Sequence, residues 1–117
     1  MPDRPPPSFD QQTLTLEQAL ELAVRHHSAG ELSKAESIYQ QILEANPNQP
    51  AALHFLGVIA HQAGENDRAV DLMTKALALN PDYAEAHSNL GVLFEKLGKF
   101  EDSVTSCAKA ISIQPLY

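Results

Sequence analysis

Five histidines and one cysteine are the residues of this 117-residue chain whose chemistry could serve a metal site or a nucleophile. His54 and His61 stand seven positions apart. On a helix, that spacing is about two turns, or roughly 10.5 Å along the axis. Two ligands so far apart cannot share one zinc ion, because bonds from zinc to histidine nitrogen are about 2.0 Å long. We therefore expect no metal site and interpret the histidines as solvated or packed side chains.

Neither Cys107 nor any other residue forms a recognisable catalytic arrangement. The basic residue nearest to Cys107 is Lys109, which would face another side of a helix. We interpret Cys107 as a small buried thiol and not as a nucleophile. The stretch LGKFED at residues 97–102 lacks both the earlier glycine of a phosphate-binding loop and the Ser or Thr that follows its lysine. We expect no enzymatic activity and no cofactor.

The composition of the chain disfavours some classes of binding partner. The formal net charge is −7, which disfavours nucleic acid and anionic membrane surfaces because both attract basic proteins. No apolar run approaches the roughly 20 residues needed to span a bilayer, and no secretory signal opens the chain. A single cysteine cannot form an intramolecular disulfide. These features indicate a cytoplasmic protein.

A period of 34 residues runs through the chain. Four columns of equivalent residues share it: proline at 47, 81 and 115; glycine at 30, 64 and 98; leucine at 22, 56 and 90; and a small residue at 23, 57 and 91. A repeat of this length is typical of a stacked array, in which each unit buries its apolar face against its neighbours. The sequence therefore predicts three repeats, over about 16–49, 50–83 and 84–117.

Each repeat divides into two helices at its glycine. In the second repeat, apolar residues at helical spacing predict one helix within 50–63 and another over about 66–79, before Pro81 prevents continuation. Thr15 with Gln18, and Asp82 with Glu85, predict capping boxes that begin the first and third repeats. Residues 1–14 are rich in proline and predict a flexible lead-in to a repeat domain over 15–117.

These columns resemble those of the tetratricopeptide repeat (TPR) family. The resemblance covers residues 16–115 and rests on the 34-residue period and on the small, large and proline positions. It implies an all-α fold, a right-handed α-solenoid of three helix–turn–helix hairpins with six helices. It also implies a protein-interaction module, in which the first helices of the repeats line a concave groove that binds an extended peptide or a partner helix.

The helix phase set by the core columns predicts which residues line that groove. Phe55 is the best single anchor, although it could instead pack against its own neighbouring helix. The charged side chains of the predicted groove are mostly glutamates, so we expect a protein or peptide partner with basic and apolar residues. The candidate binding residues are Glu21, His54, Phe55, Val58, His61, Ser88, Asn89 and Val92.

The stretch AEAHSNLG at residues 84–91 is similar to the repeats of O-linked N-acetylglucosamine transferases. That resemblance implies that Asn89 grips a peptide backbone, as one rung of an asparagine ladder. The equivalent positions here hold Phe55 and Glu21, so the ladder is broken. A second family mode clamps a carboxylate with cationic side chains, but the corresponding positions include Leu20, Val24 and Val58. We reject that mode.

The last predicted helix has an apolar face without a following repeat to cover it. Exposed faces of this kind usually bind a partner, which suggests self-association and a homo-oligomer. Three functions therefore remain open: an adaptor, the N-terminal non-catalytic segment of a longer enzyme such as a glycosyltransferase, and a self-assembling scaffold. The candidate self-association face consists of Val104, Cys107, Ile111, Ile113 and Leu116.

Overall fold

The computed structural model describes residues 14–115, and this part of the chain forms six α-helices. The helices are α1 (Leu16–Ser28), α2 (Leu32–Ala45), α3 (Pro50–Gln62), α4 (Asn66–Leu79), α5 (Ala84–Lys96) and α6 (Phe100–Ile113). Consecutive helices pair as hairpins, α1 with α2, α3 with α4 and α5 with α6. The predicted all-α class of three helix–turn–helix hairpins is confirmed. The predicted lead-in, apart from Leu14, lies outside the described residues.

The chain separates into two compact units, Met1–Pro47 and Asn48–Tyr117. The first contains the α1–α2 hairpin. Its first helix begins at the predicted capping box: the Gln18 amide donates to the Thr15 hydroxyl at 3.1 Å, and the Thr15 amide donates to the Gln18 side chain at 2.9 Å. Ala23, Ala35 and Tyr39 are fully buried, and the two alanines allow α1 and α2 to pack closely.

A glycine ends the first helix of every hairpin with the same turn. Gly30, Gly64 and Gly98 adopt φ of 81°, 80° and 78°. In the second hairpin, the Gly64 amide donates to the His61 carbonyl at 3.0 Å, and the Glu65 amide donates to the Ala60 carbonyl at 2.8 Å. This pair of bonds is the Schellman motif, which satisfies carbonyls that the helix end leaves unpaired. Glycine therefore recurs at these three positions because the turn requires a positive φ.

In the second and third hairpins, the small-residue column holds Gly57 and Gly91, where the two helices of the hairpin approach each other closely. A methyl group added at Gly57 would lie 2.9 Å from Cγ of Met73 and 3.3 Å from the carbonyl oxygen of Ala69. In the third hairpin, the Ser103 hydroxyl uses the same proximity and donates to the Gly91 carbonyl at 2.8 Å. Each glycine lets one helix contact the backbone of the other, which places the flanking leucines in the core.

The second unit contains two hairpins, and α5 joins them by packing on the hairpin before it. Leu90 and Leu93 of α5 form one buried cluster with Met73, Ala69 and Ala60 of α3 and α4. The leucine side chains are 5% and 0% exposed. Burying each stabilises the folded chain by about 1.5–3 kcal/mol, so this cluster ties the third hairpin to the second.

The start of α5 differs from the prediction. Tyr83 is the residue before the helix, and no side chain caps its first turn, so the predicted box of Asp82 and Glu85 is wrong. The Asp82 amide instead donates to the side-chain oxygen of Asn80 at 3.2 Å, which turns the chain after Pro81. That turn starts the helix one residue later than a cap at Asp82 would require.

Replacement of Gly64 by alanine tests the turn without touching the core. Nothing lies within 4 Å of an added methyl group, so any loss of stability must come from the positive φ. We expect Gly64→Ala to lower the free energy of unfolding by about 1–2 kcal/mol, measured by urea denaturation. Gly64→Asn should cost less, because asparagine tolerates this conformation. An alanine variant as stable as the parent chain would contradict the role of the positive φ.

Candidate functional site

Two helices of successive hairpins, α3 and α5, lie side by side in the second unit. The side-chain amide of Asn89 lies 3.4 Å from Nε2 of His54, and the Lys96 ammonium lies 3.0 Å from Nε2 of His61. Both pairs are 35 residues apart, which is one repeat plus one position. The surface between these pairs is the α3–α5 face, formed by Phe55, Val58, His61, Asn89, Val92 and Lys96.

The α3–α5 face is apolar at its centre and polar at its ends. Val92 is 42% exposed, while Phe55 and Val58 are half-buried. Val58 also packs on the hydrophobic core beneath, so its position is held by the fold. The half-buried Asn89 carboxamide can both donate and accept hydrogen bonds, as an extended backbone requires. Of the sequence candidates, Phe55, Val58, His61, Asn89 and Val92 belong to this face.

His54 lies beneath the α3–α5 face and not on it. Its side chain is 1% exposed, with its ring centroid 5.2 Å from that of Phe55 and 4.8 Å from that of Tyr83. Burial lowers the pKa of His54 to about 4, so the ring is neutral at pH 7. Its Nδ1 atom is buried and has no hydrogen-bond partner among residues 14–115. The ring supports Phe55 and Asn89 from below, and a direct contact with a partner remains a prediction.

The pair of His61 and Lys96 closes one end of the α3–α5 face. Partial burial, and to a smaller extent the Lys96 charge, lower the pKa of His61. The neutral ring can then accept a hydrogen bond from the Lys96 ammonium through Nε2, which requires that the ring proton sits on Nδ1. Lys96 was absent from the sequence candidates. The 35-residue spacing from His61, matched by that of His54 and Asn89, is the signal that would have identified it.

Two other candidate binding residues lie elsewhere. Ser88 is exposed and lines a cleft between α5 and α6, together with Cys107. Glu21 belongs to α1 in the first unit, where it is exposed beside Leu20, Val24 and Arg25. The candidate residues therefore divide among several surfaces, because helix phase alone does not say which positions a neighbouring hairpin covers.

The apolar face of the last helix is exposed. Val104 is 69% exposed and Ile111 is 52% exposed, while Ile113 is half-buried. Cys107 is exposed, so its interpretation as a buried thiol is wrong. Its repeat counterpart Met73 is fully buried under α5, and none of the described helices covers Cys107 in the same way. Leu116 lies outside the described residues.

Two further histidines have local partners. Nδ1 of His26 lies 2.8 Å from the Glu31 carboxylate, and Nε2 of His87 lies 2.9 Å from the Pro81 carbonyl oxygen. Within the described range, no three His, Cys, Asp or Glu side chains come close enough to hold a metal ion. Between residues 14 and 115, no helix combines the length and the apolarity needed to cross a bilayer.

Sequence models of one family match most of the chain. A model described as TPR repeat matches residues 57–98, and two described as tetratricopeptide repeat match residues 26–73 and 84–117. The chain belongs to the tetratricopeptide repeat family. No protein with a curated description matches this TPR chain significantly.

Solved structures show the same TPR hairpins. The TPR chain is 30% identical to a mutant O-GlcNAc transferase from Thermobaculum terrenum, with a TM-score of 0.83 over 86% of this chain and 19% of the transferase. MamA is 26% identical, with a TM-score of 0.77 over 85% of this chain and 58% of MamA. The TPR chain thus spans about a fifth of the transferase and less than two thirds of MamA. The predicted similarity to O-GlcNAc transferase repeats is confirmed.

A third structure shows the fold alone. The first TPR domain of Spaghetti, solved with an HSP90 peptide, is 20% identical to this chain, with a TM-score of 0.78. The match covers 85% of this chain and 79% of that domain.

The burial of His54 predicts a pH dependence of stability. Its pKa is about 4 in the folded chain and about 6.5 when unfolded, so the folded state resists a proton that the unfolded state accepts. The part of the free energy of unfolding that depends on a neutral His54 is fully present above pH 6.5 and is lost as the pH falls towards 4. We expect the free energy of unfolding to fall by about 1.4 kcal/mol per pH unit in that window, beyond the fall seen in His54→Leu. Urea denaturation of both proteins from pH 7.5 to 4.5 measures the difference. Parallel curves would show that His54 titrates normally.

Proposed function

We propose that the TPR chain is a cytoplasmic adaptor whose α3–α5 face binds an extended peptide or a partner helix. The observation that carries the proposal is the chemistry of the side chains on this face, in a chain that belongs to a family of interaction modules. Exposed Val92 and half-buried Phe55 supply apolar contact area, and the Asn89 carboxamide supplies a hydrogen-bond donor and an acceptor. Aromatic side chains and polar groups held in this way are typical of binding hot spots.

Pre-organisation supports the same proposal. Asn89 lies against the buried His54 ring, and Val58 packs on the core, so these groups lose little freedom when a partner binds. A neutral His54 also keeps an uncompensated charge away from the base of the face. A rigid surface suits a flexible peptide, because the peptide alone then bears the cost of ordering.

Charge favours a partner with basic and apolar residues. The chain has a net charge of −7, and Glu85 and Glu95 are exposed on α5. On the α3–α5 face itself, Lys96 is already engaged by His61. A peptide with lysine or arginine beside apolar residues would therefore complement the surroundings of the face, and attraction at long range would raise its association rate.

A second candidate function is that these hairpins form the non-catalytic TPR segment of a longer glycosyltransferase. Their 30% identity to the O-GlcNAc transferase over 86% of this chain favours it. Sequencing of the full transcript tests this candidate. A reading frame that continues past Tyr117 into a transferase domain is the expected result, and a stop codon directly after Tyr117 would refute it.

Peptide selection tests the α3–α5 face. A phage-displayed library of random peptides is selected on the intact chain, and isothermal titration measures the affinities of the selected peptides. We expect sequences enriched in Lys, Arg and apolar residues. Phe55→Ala should weaken their binding tenfold or more, because it removes the largest apolar contact. Asn89→Ala should weaken it about fivefold, through loss of a hydrogen-bonded carboxamide.

Thr74→Ala is the matched control, since Thr74 is exposed on α4 and away from the α3–α5 face. Its affinity for the selected peptides should equal that of the parent chain. Circular dichroism confirms that each variant keeps its helices. Selected peptides that bind all four proteins equally would place the binding site elsewhere and refute the proposal.

A further inference from the structure

The buried ring of His54 has one nitrogen beside Asn89 and one nitrogen that nothing contacts. The side chain is 1% exposed, and burial keeps the ring neutral at pH 7, so one nitrogen bears a proton and the other bears a lone pair. Nε2 lies 3.4 Å from the side-chain amide of Asn89. Nδ1 is buried and has no hydrogen-bond partner among residues 14–115. The place of the ring proton therefore decides whether a donor or an acceptor is left unpaired inside the protein.

The contact between His54 and Asn89 can take two forms that fill the same space. The nitrogen and the oxygen of a carboxamide are nearly the same size and exchange places by a half-turn of the group. In the first form, the Asn89 amino group donates to Nε2, and the ring proton lies on Nδ1. In the second form, Nε2–H donates to the Asn89 oxygen, and Nδ1 keeps its lone pair. The first form leaves a buried N–H donor unpaired, and the second leaves a buried acceptor unpaired.

The cost of an unpaired donor favours the second form. Buried N–H groups without a partner are rarer in proteins than buried acceptors that lack one. The surroundings of the ring offer a donor little compensation. The rings of Phe55 and Tyr83 lie with their centroids 5.2 Å and 4.8 Å from that of His54, and an aromatic face is only a weak acceptor. His54 therefore donates from Nε2, and the Asn89 oxygen accepts.

This arrangement determines which end of Asn89 is offered to a partner. His54 lies beneath the α3–α5 face, and the Asn89 carboxamide is half-buried above it. With its oxygen directed at the ring, the carboxamide has its amino group at the end that is away from His54. An amino group donates two hydrogen bonds and accepts none. An extended peptide carries both N–H and C=O groups, and of these only the carbonyl oxygen can bind an amino group.

We propose that His54 is a positioning residue that holds Asn89 with its amino group outward, so that the α3–α5 face binds a backbone carbonyl of its partner at this point and not an N–H group. This inference rests on the proposed function of the α3–α5 face and adds the polarity of its hydrogen bond. His54 never touches the partner. It acts by fixing the orientation of a side chain that does.

The tautomer of His54 can be measured in the free chain, without any partner. Long-range ¹H–¹⁵N correlation spectra of the ¹⁵N-labelled chain at pH 7 distinguish a protonated ring nitrogen from an unprotonated one by chemical shift. The spectrum of His54→Leu, which lacks these signals, identifies them. We expect a protonated Nε2 and an unprotonated Nδ1. A ring proton on Nδ1 overturns the proposal, whatever the chain binds.

Replacement of Asn89 by aspartate distinguishes the two polarities in the bound state. Aspartate has nearly the same shape, but its carboxylate only accepts hydrogen bonds. It can still accept from Nε2–H of His54, but it offers the partner no donor. The probes are the peptides selected on the intact chain, and isothermal titration measures their affinities. We expect Asn89→Asp to weaken binding about fivefold or more, at least as much as Asn89→Ala.

Thr74→Asp is the matched control for charge, because Thr74 is exposed on α4 and away from the α3–α5 face. It adds the same negative charge and so measures the general attraction for a basic peptide. If Asn89 presented its oxygen to a peptide N–H group, a carboxylate would be the stronger acceptor. Binding by Asn89→Asp that equals or exceeds that of Thr74→Asp therefore overturns the proposal.

Three variants at position 54 separate positioning from packing. Glutamine places its amide nitrogen close to the position of Nε2, so His54→Gln can still donate to Asn89. Asparagine places its nitrogen close to Nδ1, and leucine fills the space without a donor. We expect His54→Gln to bind the selected peptides within about twofold of the parent chain, and the other two variants to bind about fivefold more weakly. Circular dichroism confirms that each variant keeps its helices. Equal losses in all three variants would show a packing role alone and overturn the proposal.

A double variant tests whether His54 acts through Asn89. His54→Leu combined with Asn89→Ala should bind no more weakly than either single variant, because both remove the same hydrogen bond to the partner. Losses that add would overturn the positioning role. Phe55→Ala distinguishes this failure from failure of the proposed function. Peptides weakened by Phe55→Ala but not by Asn89→Asp occupy the α3–α5 face with the opposite polarity. Peptides that neither change weakens bind elsewhere, which refutes the proposed function as well.

Discussion

The packing of α5 on the preceding hairpin is the interaction on which the second unit depends. Leu90 and Leu93 lie against Met73, and this contact positions every other α5 side chain relative to α3. It places Asn89 beside His54 and Lys96 beside His61. The apolar contact that stabilises the array therefore also sets the geometry of its candidate binding face. In a repeat protein, stability and the display of side chains have the same origin, because each hairpin contacts mainly its neighbours.

The local structure follows closely from the sequence. The predicted helix over about 66–79 is α4, Asn66–Leu79, and the Thr15 capping box forms as expected. These predictions succeed because they rest on short-range rules: helical periodicity, a proline that prevents continuation and a glycine that accepts positive φ. The predicted capping box at Asp82 does not form, and the reason is also short-range: the Asp82 amide donates its hydrogen bond to the Asn80 side chain.

The surface was harder to predict than the helices. Periodicity gives the phase of a helix within its own hairpin, but a side chain is exposed or buried according to what the next hairpin covers. His54 was expected in the groove and is buried under Tyr83, whereas Cys107 was expected to be buried and is exposed. Both depend on the presence or absence of a following helix among the described residues. A comparison of equivalent positions one repeat apart, rather than of single positions, recovers this information.

The glycine turns have a consequence for how the chain can vary. At Gly30, Gly64 and Gly98, no atom beyond the two adjacent residues lies within 4 Å of where a side chain would begin, so a group added there would meet no packed neighbour. Extra residues in such a turn would meet solvent, and each doubling of a flexible loop costs only about 0.6 kcal/mol in closure entropy. The hairpins can therefore tolerate insertions or attached labels at these turns while their helices stay packed. The length of each helix is more constrained than the length of these turns, because an insertion inside a helix rotates its packed residues out of the core.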